Sequence, residues 1–197
     1  SGALPSNSAG DGNTVIGKGA GSTNTAGSDN ILIGLNVNTP TASTSNFINI
    51  GGRIKLNLDD DNLTFGTAAL AAVTSGSQNI AIGSYALQTL DDATLNTAVG
   101  FNALQANVSG GSNTAIGAHA LGVNTAANNT GVGVQALGAN TSGDDNTAVG
   151  KNSLNANTSG TTNTAVGCYT LETNTVGVAN TAIGHAALNL NTASNNT

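Results

Sequence analysis

Hydrophobic and polar positions recur along this chain at a nearly constant spacing. From Asn96 onward the segments share the pattern N-T-A-[VI]-G-x-x-A-L-x-x-N-T. Eleven copies of its glycine follow one another at about 17 residues, a period that predicts one structural unit per copy. The spacings from Gly51 to Gly66 and from Gly117 to Gly133 are slightly shorter. These anchor glycines are Gly17, Gly34, Gly51, Gly66, Gly83, Gly100, Gly117, Gly133, Gly150, Gly167 and Gly184.

Two apolar or β-branched columns precede the glycine. The residue just before it is always bulky, as at Ile82, Val99 and Ile116. Two positions earlier stands Thr in the first copy, Ile or Leu in the next four and Thr in all later ones. Since alternate residues of a strand share a face, both columns are predicted to point into a core. A leucine column four residues after the glycine shares its parity with positions such as Ala106 and Val123, which predicts a second strand.

The predicted fold class is therefore all-β, a parallel β-solenoid or β-roll with coils of about 17 residues and two short strands per coil. A helix is the competing prediction for the A-L segments, best at 67–73, but most copies leave only about four residues there, and an isolated helix needs roughly 12–15. Stacking should also align asparagines into an amide ladder. The ladder residues are Asn96, Asn113, Asn129, Asn146, Asn163 and Asn180.

Alanine occupies the opposite faces of both predicted strands. One column contains Ala81, Ala98, Ala115, Ala148, Ala165 and Ala182, and the other Ala69, Ala86, Ala103, Ala120, Ala136 and Ala187. Unbroken columns of small residues permit close approach of another chain, so these faces are predicted to be outward contacts between chains. The alternative is that alanine merely tolerates exposure to solvent.

The repeat is interrupted near the middle of the chain. Residues 35–45 are polar and include Pro40, and the segment 53–58 alternates as a strand before the acidic run Asp59–Asp61. We therefore predict N-terminal roll coils in 1–51, an irregular joint or transition strand in 52–66, and a regular C-terminal roll in 67–197. The alternative for the middle segment is an excursion that contacts a receptor.

Composition and charge exclude several classes of protein. Four Lys and Arg against ten Asp and Glu give a net charge of −6, which cannot neutralise a nucleic-acid backbone. No apolar run in the sequence approaches the roughly 18 residues that a membrane-spanning helix needs, so we expect no membrane insertion. Its single cysteine cannot form an internal disulfide.

Candidate chemistry is sparse. The run Asp59–Asp61 resembles calcium ligands but lacks the spacing of a calcium loop, so a solvated turn is favoured. His119 and His185 stand in non-equivalent columns, and Cys168 has no basic partner in the pattern. The glycine-rich segment 17–21 mimics a phosphate loop without a following helix. We expect no catalytic residues, no cofactor-binding residues and no metal ligands, and hence no enzyme.

The motif N-[TS]-[AV]-[VI]-G-x-x-A resembles the left-handed β-roll heads of trimeric autotransporter adhesins. Its longer form with A-L-x-x-N-T is similar to repeat regions of bacteriophage tail fibres and related bacterial surface fibres. The segment 45–57 also resembles transition pieces of such fibres. The adhesin repeats are shorter, and no chaperone domain, coiled-coil stalk or membrane anchor is recognisable in the sequence. The resemblance implies a parallel homotrimer that attaches to a target cell.

The expected function is thus a non-catalytic structural and adhesive segment of an extracellular trimeric fibre, on a cell surface or a virion tail. Its expected partners are two further copies through the alanine-rich faces and a receptor or glycan on the target cell, contacted here or elsewhere in the fibre. The main alternative is an ice-binding or other free-standing ligand-binding solenoid, which needs outward T-x-T columns that occur only sporadically. A polysaccharide-processing tailspike would need paired carboxylates, which the sequence does not display.

Overall fold

The computed structural model describes residues 2–57 and 59–197. These residues form short β-strands joined by turns and bends, and none of them lies in a helix. The chain divides into two compact units, Ser1–Thr67 and Ala68–Thr197.

The first unit combines stacked coils with an antiparallel meander. Strands β1 (Thr14–Ile16), β2 (Ile31–Ile33) and β3 (Phe47–Ile50) pair in parallel. Strand β4 (Ile54–Asn57) then pairs antiparallel with β3 and with β5 (Asn62–Phe65). The strand predicted over 53–58 corresponds to β4, although Leu58 lies outside the described residues.

The second unit is a regular parallel stack of seven strands in sequence order. Each strand pairs with its equivalent in the next coil, for example Thr147 with Thr164 and Val149 with Val166. Turn backbones are bonded between coils in the same way, because Leu104 N–H donates to the Ala120 carbonyl at 3.1 Å. The strands are β6 (Ile80–Ile82), β7 (Thr97–Val99), β8 (Thr114–Ile116), β9 (Thr130–Val132), β10 (Thr147–Val149), β11 (Thr164–Val166) and β12 (Thr181–Ile183). The predicted parallel β-solenoid is confirmed, with one repeat of the sequence in each coil.

The prediction of two strands per coil is wrong, because each regular coil contains only one. The segment that carries the leucine column consists of consecutive turns. Leu87, Leu104 and Leu121 have φ angles of 50°, 50° and 51°, which lie in the left-handed region and not in the extended region. In this turn backbone adjacent residues can both face inward, so Ala103 and Leu104 are both fully buried.

The predicted orientation of the strand faces is also wrong. The middle residue of each three-residue strand points inward: Ala98, Ala115 and Ala148 have no exposed surface. The flanking Thr and Val or Ile residues face outward, and Ile116 is 42% exposed. The physical reason is space, because leucines from the turn segment fill the narrow coil and leave room only for a methyl group opposite them. The alanine columns are therefore interior and do not form an outward surface.

Two asparagine ladders complete the core of the second unit. The predicted ladder is confirmed, because each backbone N–H in it donates to the side-chain oxygen of the preceding coil, as from Asn113 to Asn96 at 3.0 Å. A second ladder lies seven residues after the anchor glycine, where Asn157 Nδ2 donates to Asn140 Oδ1 at 2.7 Å. These hydrogen bonds between coils fix the register of the stack, although Asn174 Oδ1 in the second ladder has no hydrogen-bond partner among the described residues.

Glycine is required at the anchor position both by its backbone φ angle and by the close approach of the next coil. Gly133 has a φ of 134°, and an added Cβ would lie 2.6 Å from the carbonyl oxygen of Gly150 in the next coil. Any side chain here would be strained and would push the coils apart.

Candidate functional site

The outward strand face of the second unit carries two parallel columns. One is a threonine column from β7 onward, and the other contains the apolar residues just before the anchor glycines. Neither column contains a charged residue. The members of the apolar column are Ile82, Val99, Ile116, Val132, Val149, Val166 and Ile183. The face is therefore an uncharged surface with one hydroxyl column beside one apolar column.

An aromatic ridge lies on the turns that follow the strands. It consists of Tyr85, Phe101 and His119, one from each of three consecutive coils. The Tyr85 and Phe101 ring centroids are 6.0 Å apart at 86°, and those of Phe101 and His119 are 5.4 Å apart at 77°. These are edge-to-face arrangements, which stabilise one another. The ridge is nevertheless exposed, with Phe101 at 49%.

An open groove of about 310 Å³ begins at the end of this ridge. His119 belongs to both features, and the amide side chains of Gln105, Gln135 and Asn155 line the groove with it. The two glycines Gly122 and Gly138 form part of its floor, beside apolar surface from valine and alanine. The volume is at the lower end of the range for small-ligand pockets, roughly 300–1,000 Å³.

The groove exists because one side-chain column is interrupted. Where side chains are present in this column they bond between coils, as from Gln105 Nε2 to Gln88 Oε1 at 3.1 Å. Gly122 and Gly138, in neighbouring coils, remove two side chains from this column; the column is open at Gly122, and the Asn155 side chain reaches over Gly138. Sequence analysis missed this site, although two glycines in an otherwise polar column were a visible signal. The column lies five residues after the anchor glycine and contains Gln88, Gln105, Gly122, Gly138, Asn155, Glu172 and Asn189.

A second surface cluster surrounds Tyr169. The ammonium of Lys151 lies 5.6 Å from the centroid of this ring, and the His185 ring lies 6.0 Å from it at 77°. A hydrogen bond with the Tyr169 side chain raises the pKa of Lys151 above its usual value. Cys168, a half-buried free thiol, stands between Lys151 and His185 in the column directly after the anchor glycine. This arrangement is a cation–π contact at the surface.

The acidic and histidine candidates from the sequence are dispersed. In the turn before β5, Asp59 accepts a bond from Asn46 Nδ2 at 3.0 Å, and Asp60 accepts one from Asn57. One histidine, His119, lies at the groove, and the other lies in the cluster around Tyr169. In residues 2–57 and 59–197, no group of three or more His, Cys, Asp or Glu is placed to hold a metal ion.

No protein-family model, curated protein or solved structure matches this chain. Within the described part of the chain, no helix has the length and apolar character needed to cross a bilayer.

Proposed function

We propose that this chain is a non-catalytic structural and adhesive segment of an extracellular trimeric fibre, on a bacterial surface or a phage tail, that helps attach the fibre to a target cell. The observation that carries the proposal is the continuous stack of seven coils in Ala68–Thr197. Neighbouring coils are joined by hydrogen bonds between strands, between turn backbones and between asparagine side chains. At about 4.8 Å per coil the seven strands span roughly 29 Å. A stack with so few flexible charged side chains is suited to bearing load and resisting proteases.

The outward strand face supports assembly into a homotrimer. Its apolar column is continuous and uncharged, with Ile82 and Ile116 at 38% and 42% exposure. Identical copies carry this column at the same coil spacing, so three parallel copies can pack it around a common axis without register mismatch. The burial of apolar surface would drive this association. The alanine columns do not contribute, because they are inside each coil.

The test is the mass of the chain in solution with strand-face variants. We expect a trimer for the wild type and monomers for the Ile116→Glu, Val149→Glu double variant, because the substitutions place like charges in the contact. The far-ultraviolet circular dichroism should stay unchanged, since both side chains point away from the core. The control is Val108→Glu, Val176→Glu, at two exposed valines in bends outside the strands, which should remain trimeric. A wild type that is monomeric at micromolar concentration contradicts the trimer.

Ice binding is a second candidate, favoured by the outward threonine column. From β7 to β12 one threonine per coil lies on the outward strand face, where the sequence pattern predicts a core position. A thermal-hysteresis measurement separates the two functions. Hysteresis that is lost in Thr114→Lys, Thr147→Lys would favour ice binding, whereas the fibre proposal expects none.

A further inference from the structure

We infer that the groove between Gln105 and Asn155, together with the aromatic ridge that leads into it, binds a neutral oligosaccharide along the stacking direction of the coils. This inference rests on the proposed adhesive function and assigns its glycan contact to this segment. It stands on three observations: the interrupted side-chain column, the chemistry of the lining and the position of the ridge.

The groove lies on a hydrogen-bonded backbone and does not depend on the conformation of a loose loop. Its floor is formed by stacked turns whose backbones are bonded between coils, as from Ala139 N–H to the Asn155 carbonyl at 3.0 Å. Gly122 and Gly138 do not have positive φ angles, so their backbone conformation does not demand glycine. At Gly122 an added Cβ would come no closer than 3.3 Å to its neighbours. The space above the floor therefore depends on the missing side chains.

The lining matches the hydroxyls of a sugar. Primary amides present both donors and acceptors, which is what a hydroxyl group needs from its partners. The bond from Gln105 Nε2 to Gln88 Oε1 holds this amide in place. Asn155 Oδ1 lies over Gly138, at 2.6 Å from the position that a Cβ would take there. His119 adds an imidazole that can donate or accept. Among the described residues, the groove lining includes no Asp, Glu, Lys or Arg, so the site favours an uncharged ligand.

The ridge supplies the apolar contact that sugar rings make with aromatic faces. Tyr85 and Phe101 are 36% and 49% exposed, and their ring order continues through His119 into the groove. From the coil of Tyr85 to that of Asn155 there are four coil spacings, or about 19 Å. A single sugar ring cannot cover this length, so the ligand is an oligosaccharide.

The net charge of the chain also favours an uncharged ligand. At −6 the protein repels acidic polymers at long range, and no lysine or arginine in the described lining offsets this. We therefore exclude a sialylated or sulfated glycan as the preferred ligand and expect a chain of neutral hexoses or N-acetylhexosamines.

The experiment is a printed array of neutral and acidic oligosaccharides, followed by calorimetric titration of the best-bound member. The groove-filling variant is Gly122→Gln, which restores the amide column. We expect it to reduce affinity at least tenfold. Phe101→Ala should reduce affinity about three- to tenfold through loss of one aromatic face. The matched control is Gly111→Gln, a glycine outside the groove whose added Cβ would lie 3.2 Å from its nearest neighbour, and it should bind like the wild type.

Several results would overturn the inference. These are an array without any bound neutral glycan, a preference for acidic glycans, or equal affinity in Gly122→Gln and the wild type. Capture of extended peptides that Gly122→Gln blocks, without glycan binding, would assign the groove to a protein partner. Failure of the fibre proposal looks different, because it would appear as a monomeric chain that does not attach to cells. A trimer that attaches to cells but binds no glycan would contradict this site alone.

Discussion

Replacing Asn146 by alanine should destabilise the second unit by several kcal/mol, although the residue is neither apolar nor charged. Asn146 is fully buried in the first amide ladder. Its Nδ2 donates to the Gly160 carbonyl at 2.8 Å and to Asn129 Oδ1 at 3.2 Å. Its Oδ1 accepts from the backbone N–H of Asn163 at 3.0 Å and from Asn163 Nδ2 at 3.1 Å. One side chain thus contacts the coil on either side of its own.

The size of the effect follows from what the four lost bonds leave behind. Asn163 Nδ2 still donates to the Gly177 carbonyl at 2.8 Å, and the Gly160 carbonyl still accepts from Asn157 Nδ2 at 2.9 Å. The backbone N–H of Asn163 loses the acceptor that the ladder gives it. The unsatisfied backbone donor costs about 1–3 kcal/mol. Each of the other three lost hydrogen bonds, whose remaining partner keeps a second bond, contributes about 0.5–1.5 kcal/mol. The expected loss in unfolding free energy is therefore roughly 3–7 kcal/mol.

The measurement is urea unfolding, monitored by far-ultraviolet circular dichroism. The slope of the unfolding free energy against urea concentration is compared between variants, because stacked repeats can unfold in parts. The matched control is Asn128→Gly, an exposed asparagine with a φ of 59°, where glycine fits the backbone. It should change stability by less than about 1 kcal/mol. A loss below about 1 kcal/mol for Asn146→Ala at unchanged slope would refute the reasoning, because the ladder would then contribute no more than an ordinary surface bond.

Three further experiments test the packing of the core. Leu137→Asp places an unpaired carboxylate at a position with no exposed surface, so we expect a loss of several kcal/mol and a lower melting temperature; an unchanged melting temperature would mean that the leucine column faces outward. Ala115→Glu with Ala148→Glu should unfold the coils themselves, seen as loss of the β signal in circular dichroism, and dissociation with full retention of that signal would contradict the interior position of alanine. Gly133→Ala should cost about 2 kcal/mol or more in urea unfolding, because its φ is 134°. Gly122→Ala should cost clearly less, because its φ is not positive and its added Cβ would lie 3.3 Å from the His119 carbonyl oxygen. Equal losses would contradict the conformational requirement for glycine at position 133.

The period of the sequence was sufficient to predict the solenoid but not the direction of its side chains. The regular spacing of the anchor glycines and the recurrent asparagine identified the stacked coils and the first amide ladder. The face assignment rested on the assumption that bulky β-branched residues, such as Val149, lie inside. That assumption fails where a coil is too narrow to hold them, and alternation alone cannot distinguish the two faces of a three-residue strand.

The prediction of a second strand in each coil was wrong for a related reason. A leucine such as Leu104 with a positive φ is uncommon, so local propensity argues against the turn that the structure contains. The conformation recurs at the same position in coil after coil, which indicates that stacking determines it and not the residue itself. Bonds such as that from Leu104 N–H to the Ala120 carbonyl are made only when the neighbouring coil is present. Reasoning from one segment at a time cannot include this contribution.

The candidate site was missed because it consists of an exception to the repeat. Interior positions are restricted by the amide ladders, the leucines and the anchor glycines, so variation is concentrated at outward positions after the glycine. Phe101, Lys151 and His185 occupy one such column in different coils, and Gly122 and Gly138 interrupt another. Since the backbone of each coil is held by its neighbours, these outward substitutions alter the surface without altering the fold. A solenoid of this kind can therefore acquire a binding site by deleting two side chains, with the scaffold beneath already in place.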